Sequence, residues 1–153
     1  MNILGIRCST TDFNFTVING KQDNPNLIDS GTTKFPTGHS DAEKLNWFYQ
    51  EVGGLIKKHS IGGIGIKGVE PMEMKGKTYG ARTQVEGMIY LQAAQNGIKY
   101  IKTKVKSTIA KDFGLKGKSK YLTSKVDYSK ITDFDKKNQN IQESIQVALS
   151  MLN

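Results

Sequence analysis

Apolar residues in this chain fall in short runs separated by polar turns, the pattern of a folded α/β chain. Residues 2–8, NILGIRC, form a compact apolar run suited to a buried strand, and residues 12–19, DFNFTVIN, alternate Phe13, Phe15 and Val17 onto one face. The STT between them predicts a hairpin. Asn19-Gly20 is a strong turn signal, KQDNPN reads as loop, and 27–34 as a third strand. Pro36 and Gly38 break the chain before Ser40, an N-cap that forms a capping box with Glu43. Leu45, Phe48, Tyr49, Val52, Leu55 and Ile56 then recur at helical spacing and predict a helix over 41–59, with Trp47, Phe48 and Tyr49 read as core. Residues 61–69, IGGIGIKGV, suit a buried central strand that lies close to a neighbouring backbone. After the loop EPMEMKGKTYG, a helix over 81–97 ends at Asn96-Gly97, a strand follows at 98–101, and a short helix at 104–113 stops at Gly114. The stretch 116–132 has no clear period and reads as a loop, partly mobile without a ligand. A last helix over 134–152 carries the stripe Ile141, Ile145, Ala148, Leu149 and Leu152. The expectation is one α/β domain over 1–153, a mixed five-stranded sheet of three antiparallel N-terminal strands plus two more, flanked by helices.

The net charge of +8 is local. Residues 98–130 hold ten lysines against only Asp112 and Asp127, and the rest of the chain is balanced. A patch of this kind favours polyanions through steering and counterion release, so a nucleic acid, DNA or RNA, is the expected partner. The single Cys8 excludes an internal disulfide or a multi-cysteine zinc site, and His39 and His59 lack metal-cage spacing. No long apolar span and no signal-peptide pattern is present, which predicts no membrane partner and a cytoplasmic location.

Three stretches carry a family likeness. ILGI leading into the first hairpin, IGIKGVEPMEMKGKTYGARTQVEGMIYLQAAQNG at 64–97, and NIQESIQVALSML at 140–152 resemble the first hairpin, the central strand with its lysine loop and helix, and the final helix of RuvC-type Holliday-junction resolvases. The order of predicted elements is that of the ribonuclease H-like fold to which they belong. In that family four carboxylates hold two divalent ions about 4 Å apart, which activate water and stabilise the leaving oxygen. Carried over residue by residue, the ligand positions fall on Arg7, Lys67, Asn140 and Glu143, so one acid remains of four. Arg7 and Lys67 would place positive charge where Mg²⁺ would sit. Asp12, Glu70 and Glu73 lie nearby, but Glu70, three residues beyond Lys67, should face the opposite side of a continued strand. The resemblance thus implies a nucleic-acid-binding protein without nuclease activity and without a metal cofactor, suited to structured or branched substrates. It also implies a homodimer and a place in a larger DNA-processing or defence complex. The alternatives are an active Mg²⁺- or Mn²⁺-dependent nuclease with migrated acidic ligands, and a protein-interaction subunit.

Two loops pair lysines with glycines and a tyrosine, MKGKTYG and GLKGKSKY, which lets backbone approach phosphates while Tyr79 or Tyr121 stacks on a base. Neither matches a P-loop. The candidate contacts are Lys75, Lys77, Tyr79, Arg82, Lys102, Lys104, Lys106, Lys116, Lys118, Lys120 and Tyr121. Cys8, beside Arg7, is read as a small buried hydrophobe and not as a nucleophile.

Overall fold

The computed structural model describes residues 1–152. Strands β1 (Asn2–Cys8), β2 (Asp12–Lys21) and β3 (Asn24–Lys34) form an antiparallel meander. Helix α1 (Asp41–Lys58), β4 (Ile61–Lys67), α2 (Tyr79–Gln95), β5 (Tyr100–Lys104), α3 (Lys106–Asp112) and α4 (Gln139–Leu149) follow. The sheet order is β3-β2-β1-β4-β5, with β4 and β5 parallel to β1. This is the mixed sheet with flanking helices that the hydrophobic pattern predicts.

Strand alternation sends successive side chains to opposite faces, and two cores result. Leu4, Ile6 and Cys8 of β1, Phe13 and Val17 of β2, and Ile64 and Ile66 of β4 bury against Phe48, Val52, Val85 and Ile89 of α1 and α2. The rings of Phe13 and Phe48 meet edge-on at 5.0 Å, and Trp47 packs at the same cluster. On the other face Ile3 and Ile18 meet Ile145 and Leu149 of α4.

Helix α4 sits unusually close to the sheet because β1 and β4 turn glycines toward it. A Cβ at Gly5 would lie 2.1 Å from the Ser144 carbonyl oxygen, and one at Gly65 would lie 3.0 Å from that of Val147. The buried Thr16 and Ser144 hydroxyls bond at 2.7 Å across the same interface. The glycine-rich central strand thus has the close backbone neighbour its composition predicts.

Several boundaries differ from expectation. Lys21 pairs with Asn24, so the β2–β3 turn is Gln22-Asp23 and not Asn19-Gly20; Asn19 and Gly20, the latter at φ +92°, stay in the ladder opposite Asn26 and Pro25, which join the strand. The last helix begins at Gln139, not 134: a 3-10 turn at Phe134–Lys136 precedes it, and the Asn138 side chain caps it by accepting the Ile141 N–H at 2.9 Å. The stretch 116–132 is no free loop. It is a strap that buries Leu122, Tyr128 and Ile131; Tyr128 stacks on Phe134 at 3.8 Å and donates its hydroxyl to the Leu122 carbonyl at 2.7 Å.

Candidate nucleic-acid interface

The parallel strands β1 and β4 are neighbours whose continuations leave in opposite directions, β1 into the hairpin and β4 toward β5. Ligands in open α/β sheets bind at such switch points, beyond the carboxyl ends of the strands. Arg7 is the penultimate residue of β1 and Lys67 the last of β4, and their alternation directs both to the α4 face, as it does Gly5 and Gly65. Glu143, in the second turn of α4, meets them there.

The Glu143 carboxylate bridges two cations. Arg7 Nε donates to Oε2 at 3.1 Å, and the Lys106 ammonium pairs with Oε1 at 3.0 Å. Gln139 donates its amide to Oε1 at 3.2 Å. Burial opposes charge on Glu143, but the hydrogen bond from Lys106, the charges of Lys67 and Lys106 and the bond from Arg7 outweigh it and hold the carboxyl below its usual range.

Lys67 is 2% exposed and its ammonium is committed inward, 2.7 Å from Glu70 Oε1 and 2.7 Å from the Gly68 carbonyl. This corrects the expectation that Glu70 faces away. Strand β4 ends at Lys67, so alternation stops there, and the chain brings the Glu70 carboxylate back onto the ammonium. The same oxygen accepts the Lys106 backbone N–H at 3.0 Å. Glu70 also titrates low: burial raises it, and the bonds from Lys67 and Lys106 overcome that.

Two candidate contacts are corrected. Arg82 is buried, bonding the Lys67 carbonyl at 2.7 Å and Glu86 at 3.0 Å, and therefore braces the strand end from α2. Burial outweighs Arg82 at Glu86 and lifts that carboxyl above its usual range. Lys104 is buried too. Its ammonium reaches Asp112 at 2.9 Å and the Ser150 carbonyl at 2.8 Å, satisfying an acceptor at the C-terminal end of α4. Lys104 lines neither hollow at the site, whereas Arg82, though mostly buried, forms part of the wall of the hollow that holds Arg7 and Tyr79.

The remaining candidates frame the site. Lys75 and Lys77 are exposed on the loop before α2, and Tyr79, half-buried, lines a hollow with Arg7, Ser9, Thr10 and Gly76. A second hollow runs along α4, lined by Lys106, Ser119, Thr123, Gln139 and Glu143. The Arg7–Glu143 ion pair joins the two hollows. Lys116, Lys118 and Lys120 are exposed on the adjoining strap and make no ion pair among the described residues; Lys102 is exposed on the edge strand β5. Tyr121 is half-buried, with the Lys125 ammonium 4.1 Å from its ring centre and that of Lys120 at 5.1 Å, so lysines already cover it. Asn140 lies half-buried one turn before Glu143. Cys8 is fully buried, and burial pushes its thiol far up, consistent with an inert core residue.

Glu143 is shared between two cations, Glu70 is held by a buried ammonium, and no group of three or more His, Cys, Asp or Glu capable of holding a metal occurs among the described residues. No helix among them is long and apolar enough to cross a membrane.

The order and pairing of strands, with α4 seated across β1 and β4, define a ribonuclease H-like fold of the RuvC type. Among solved structures the chain is similar to Thermus thermophilus RuvC, with TM-score 0.75 and 12% identity over 98% of this chain and 92% of that one. It is similar to T. thermophilus RuvC in complex with Holliday junction substrate, at TM-score 0.73 and 10% identity over 98% and 91%. It is also similar to the yeast mitochondrial Holliday junction resolvase, at TM-score 0.63 and 13% identity over 97% and 78%. No protein-family model matches the sequence, and no curated protein does.

Proposed function

We propose that this chain is a nucleic-acid-binding protein that uses a RuvC-like fold without nuclease activity and recognises structured or branched DNA or RNA. The observation that carries the reading is the set of exposed lysines on the strap, which make no ion pair among the described residues and are contiguous with a hollow at the carboxyl ends of β1 and β4. Solved structures with this fold include complexes with Holliday junction DNA. Phosphate contacts dominate such an interface, because lysines read charge and not base identity, so binding is largely independent of sequence. Anisotropy titrations of labelled junction, duplex and single strands at several salt concentrations test this. If four to six lysines reach phosphates at once, log K against log salt has a slope of about −4 to −5. Absence of binding at low salt removes the reading.

The catalytic half of the proposal rests on Lys67 and Arg7, whose cationic groups stand at the strand ends where the family resemblance puts metal ligands. The protein is expected not to cut any of these substrates in Mg²⁺ or Mn²⁺. Turnover that is abolished by Glu143→Ala would overturn that half and restore the nuclease alternative. The reading extends to a twofold homodimer, since a four-way junction presents two equivalent faces.

A further inference from the structure

Five charged groups meet at the strand ends, and they are not equivalent. Lys67 and Glu70 form the inner pair: the lysine side chain is 3% exposed and its partners are all internal. Arg7, Lys106 and Glu143 form the outer group, in which the acid lies below and the bases above. The Glu143 side chain is 7% exposed, against 18% for Arg7 and 34% for Lys106. The outer group has two cations for one anion.

We infer that Arg7 and Lys106 form a backbone-phosphate site for which Glu143 is an internal competitor, occupying it until nucleic acid displaces it. This rests on the nucleic-acid reading above and names the contact at its centre. The geometry supports it in three ways. First, Glu143 offers one oxygen to the guanidinium at 3.1 Å and the other to the ammonium at 3.0 Å, the way two non-bridging phosphate oxygens are held by such a pair. Second, the cations have spare donors. A guanidinium carries five N–H groups, of which Arg7 directs Nε to Glu143 and Nη1 to the Cys8 carbonyl at 2.9 Å. An ammonium carries three, and that of Lys106 has one partner among the described residues. Third, the site lies where the two lysine-bearing loops converge. Arg7 lines the hollow of the loop that carries Lys75 and Lys77, and Lys106 lines the hollow along the strap, so a strand spanning both loops crosses the pair. The contact reads charge alone and takes a phosphodiester of DNA or RNA.

The competitor role predicts a gain of binding, an outcome structural damage does not produce. Glu143→Gln unmasks both cations and is expected to bind labelled DNA on the order of tenfold more tightly at low salt, with a salt slope steeper by about 1 to 2. Glu51→Gln, an exposed change of equal charge on α1, is the control and is expected to change affinity much less. Adding Lys106→Ala to Glu143→Gln returns affinity toward the parent. Gln139→Glu covers the case of a poorly folded Glu143 variant: it adds a carboxylate at the exposed start of α4, where the helix dipole favours acid, and weakens binding several-fold. Circular dichroism establishes folding of each. If the parent binds and Glu143→Gln folds but shows unchanged or weaker affinity, the competitor role is overturned while the broader reading stands. A null result for Gln139→Glu does the same. No binding by either the parent or Glu143→Gln removes both, and binding by Glu143→Gln alone supports the competitor role.

Discussion

Two basic regions lie side by side in this molecule and use the same side-chain chemistry differently. At the strand ends Lys67 and Arg82 are buried, and each ammonium or guanidinium meets a carboxylate and a backbone carbonyl within the domain. On the strap Lys116, Lys118 and Lys120 stand in solvent without ion pairs among the described residues. A buried cation belongs to the fold, because its desolvation is offset only while its partners stay in place; an exposed one is nearly free of the fold and available to a ligand. The density of lysines along a sequence therefore marks a basic neighbourhood without saying which cations can leave their posts.

The widest separation of the two regions comes from stability. Lys67→Ala strips the partner from Glu70 and opens a gap under Gly68, and is expected to cost about 3 kcal/mol, toward the lower end for a broken buried pair because Glu70 keeps some water. For a domain of this size the melting temperature falls by roughly 10 °C, read by thermal or urea unfolding. A loss below about 1 kcal/mol would show that the Lys67–Glu70 pair is as dispensable as a surface pair and erase the distinction.

The next test concerns the seat that brings Glu143 to the cations. Gly5→Ala drives a methyl group against the Ser144 carbonyl and the Ala148 side chain, so α4 has to lift from β1. Overpacking at a rigid backbone contact costs about 2 to 3 kcal/mol. The same variant is expected to loosen Arg7 from Glu143, visible as a shift of the arginine Nε resonance; an unmoved resonance would show that the ion pair does not depend on the helix seat.

Much of this architecture was legible from local pattern. Phe13, Phe15 and Val17 do face one side, and Ser40 and Glu43 do form a capping box, with the Ser40 N–H donating to Glu43 at 2.7 Å. Those signals are local, so a window of sequence contains them. The strap was illegible for the opposite reason: Leu122, Tyr128, Ile131 and Phe134 anchor it on α4 and α3 from turns and short 3-10 segments, and four anchors spread over thirteen residues of mostly polar chain give no helix or strand stripe. Arg7, Lys67 and Glu143 were singled out from the resemblance, and the structure brings those three together. Glu70 was missed because the alternation rule was extended past the end of β4; with glycines at 62, 63 and 65 inside the strand, the glycine at 68 gave no sign that it stops. The burial of Lys104 and Arg82 was illegible because charge alone does not disclose it; Lys104 closes a strand whose preceding residues, Lys102 and Thr103, are exposed.

Acid pH probes the strand-end cluster with a smaller effect. Glu143 and Glu70 titrate low in the folded chain, so the stability they contribute is fully present above the unfolded-state value of about 4.3 and is lost as pH falls through their folded values. Glu86 has the opposite sign. Its folded value is raised, so its cost is felt at neutral pH and relieved as pH drops through that value. Urea unfolding from pH 7 to 3 is expected to show a level or gently rising stability first and a decline below about 4.3. Glu143→Gln is expected to be about 1 to 2 kcal/mol less stable at pH 7, with the difference closing in acid. Parallel curves down to pH 3 would show that Glu143 is not held ionised by Arg7 and Lys106.

The smallest expected effect on stability belongs to the strap, and there it separates fold from function most cleanly. Replacing Lys116, Lys118 and Lys120 together by Ala removes three exposed cations, whose contribution to folding is expected to stay within about 0.5 kcal/mol. Lys116 adopts a left-handed backbone, φ 51°, so alanine there is no more strained than the lysine it replaces. Binding should respond differently, because each lysine that neutralises a phosphate adds about −0.9 to the salt slope, and losing three flattens it by up to about 2.7. Lys21→Ala, exposed at the β2–β3 turn, is the control and should change affinity much less. A triple variant that unfolds more easily but binds as tightly as the parent would invert the comparison, making the strap lysines structural and leaving the phosphate contacts to the loop bearing Lys75 and Lys77.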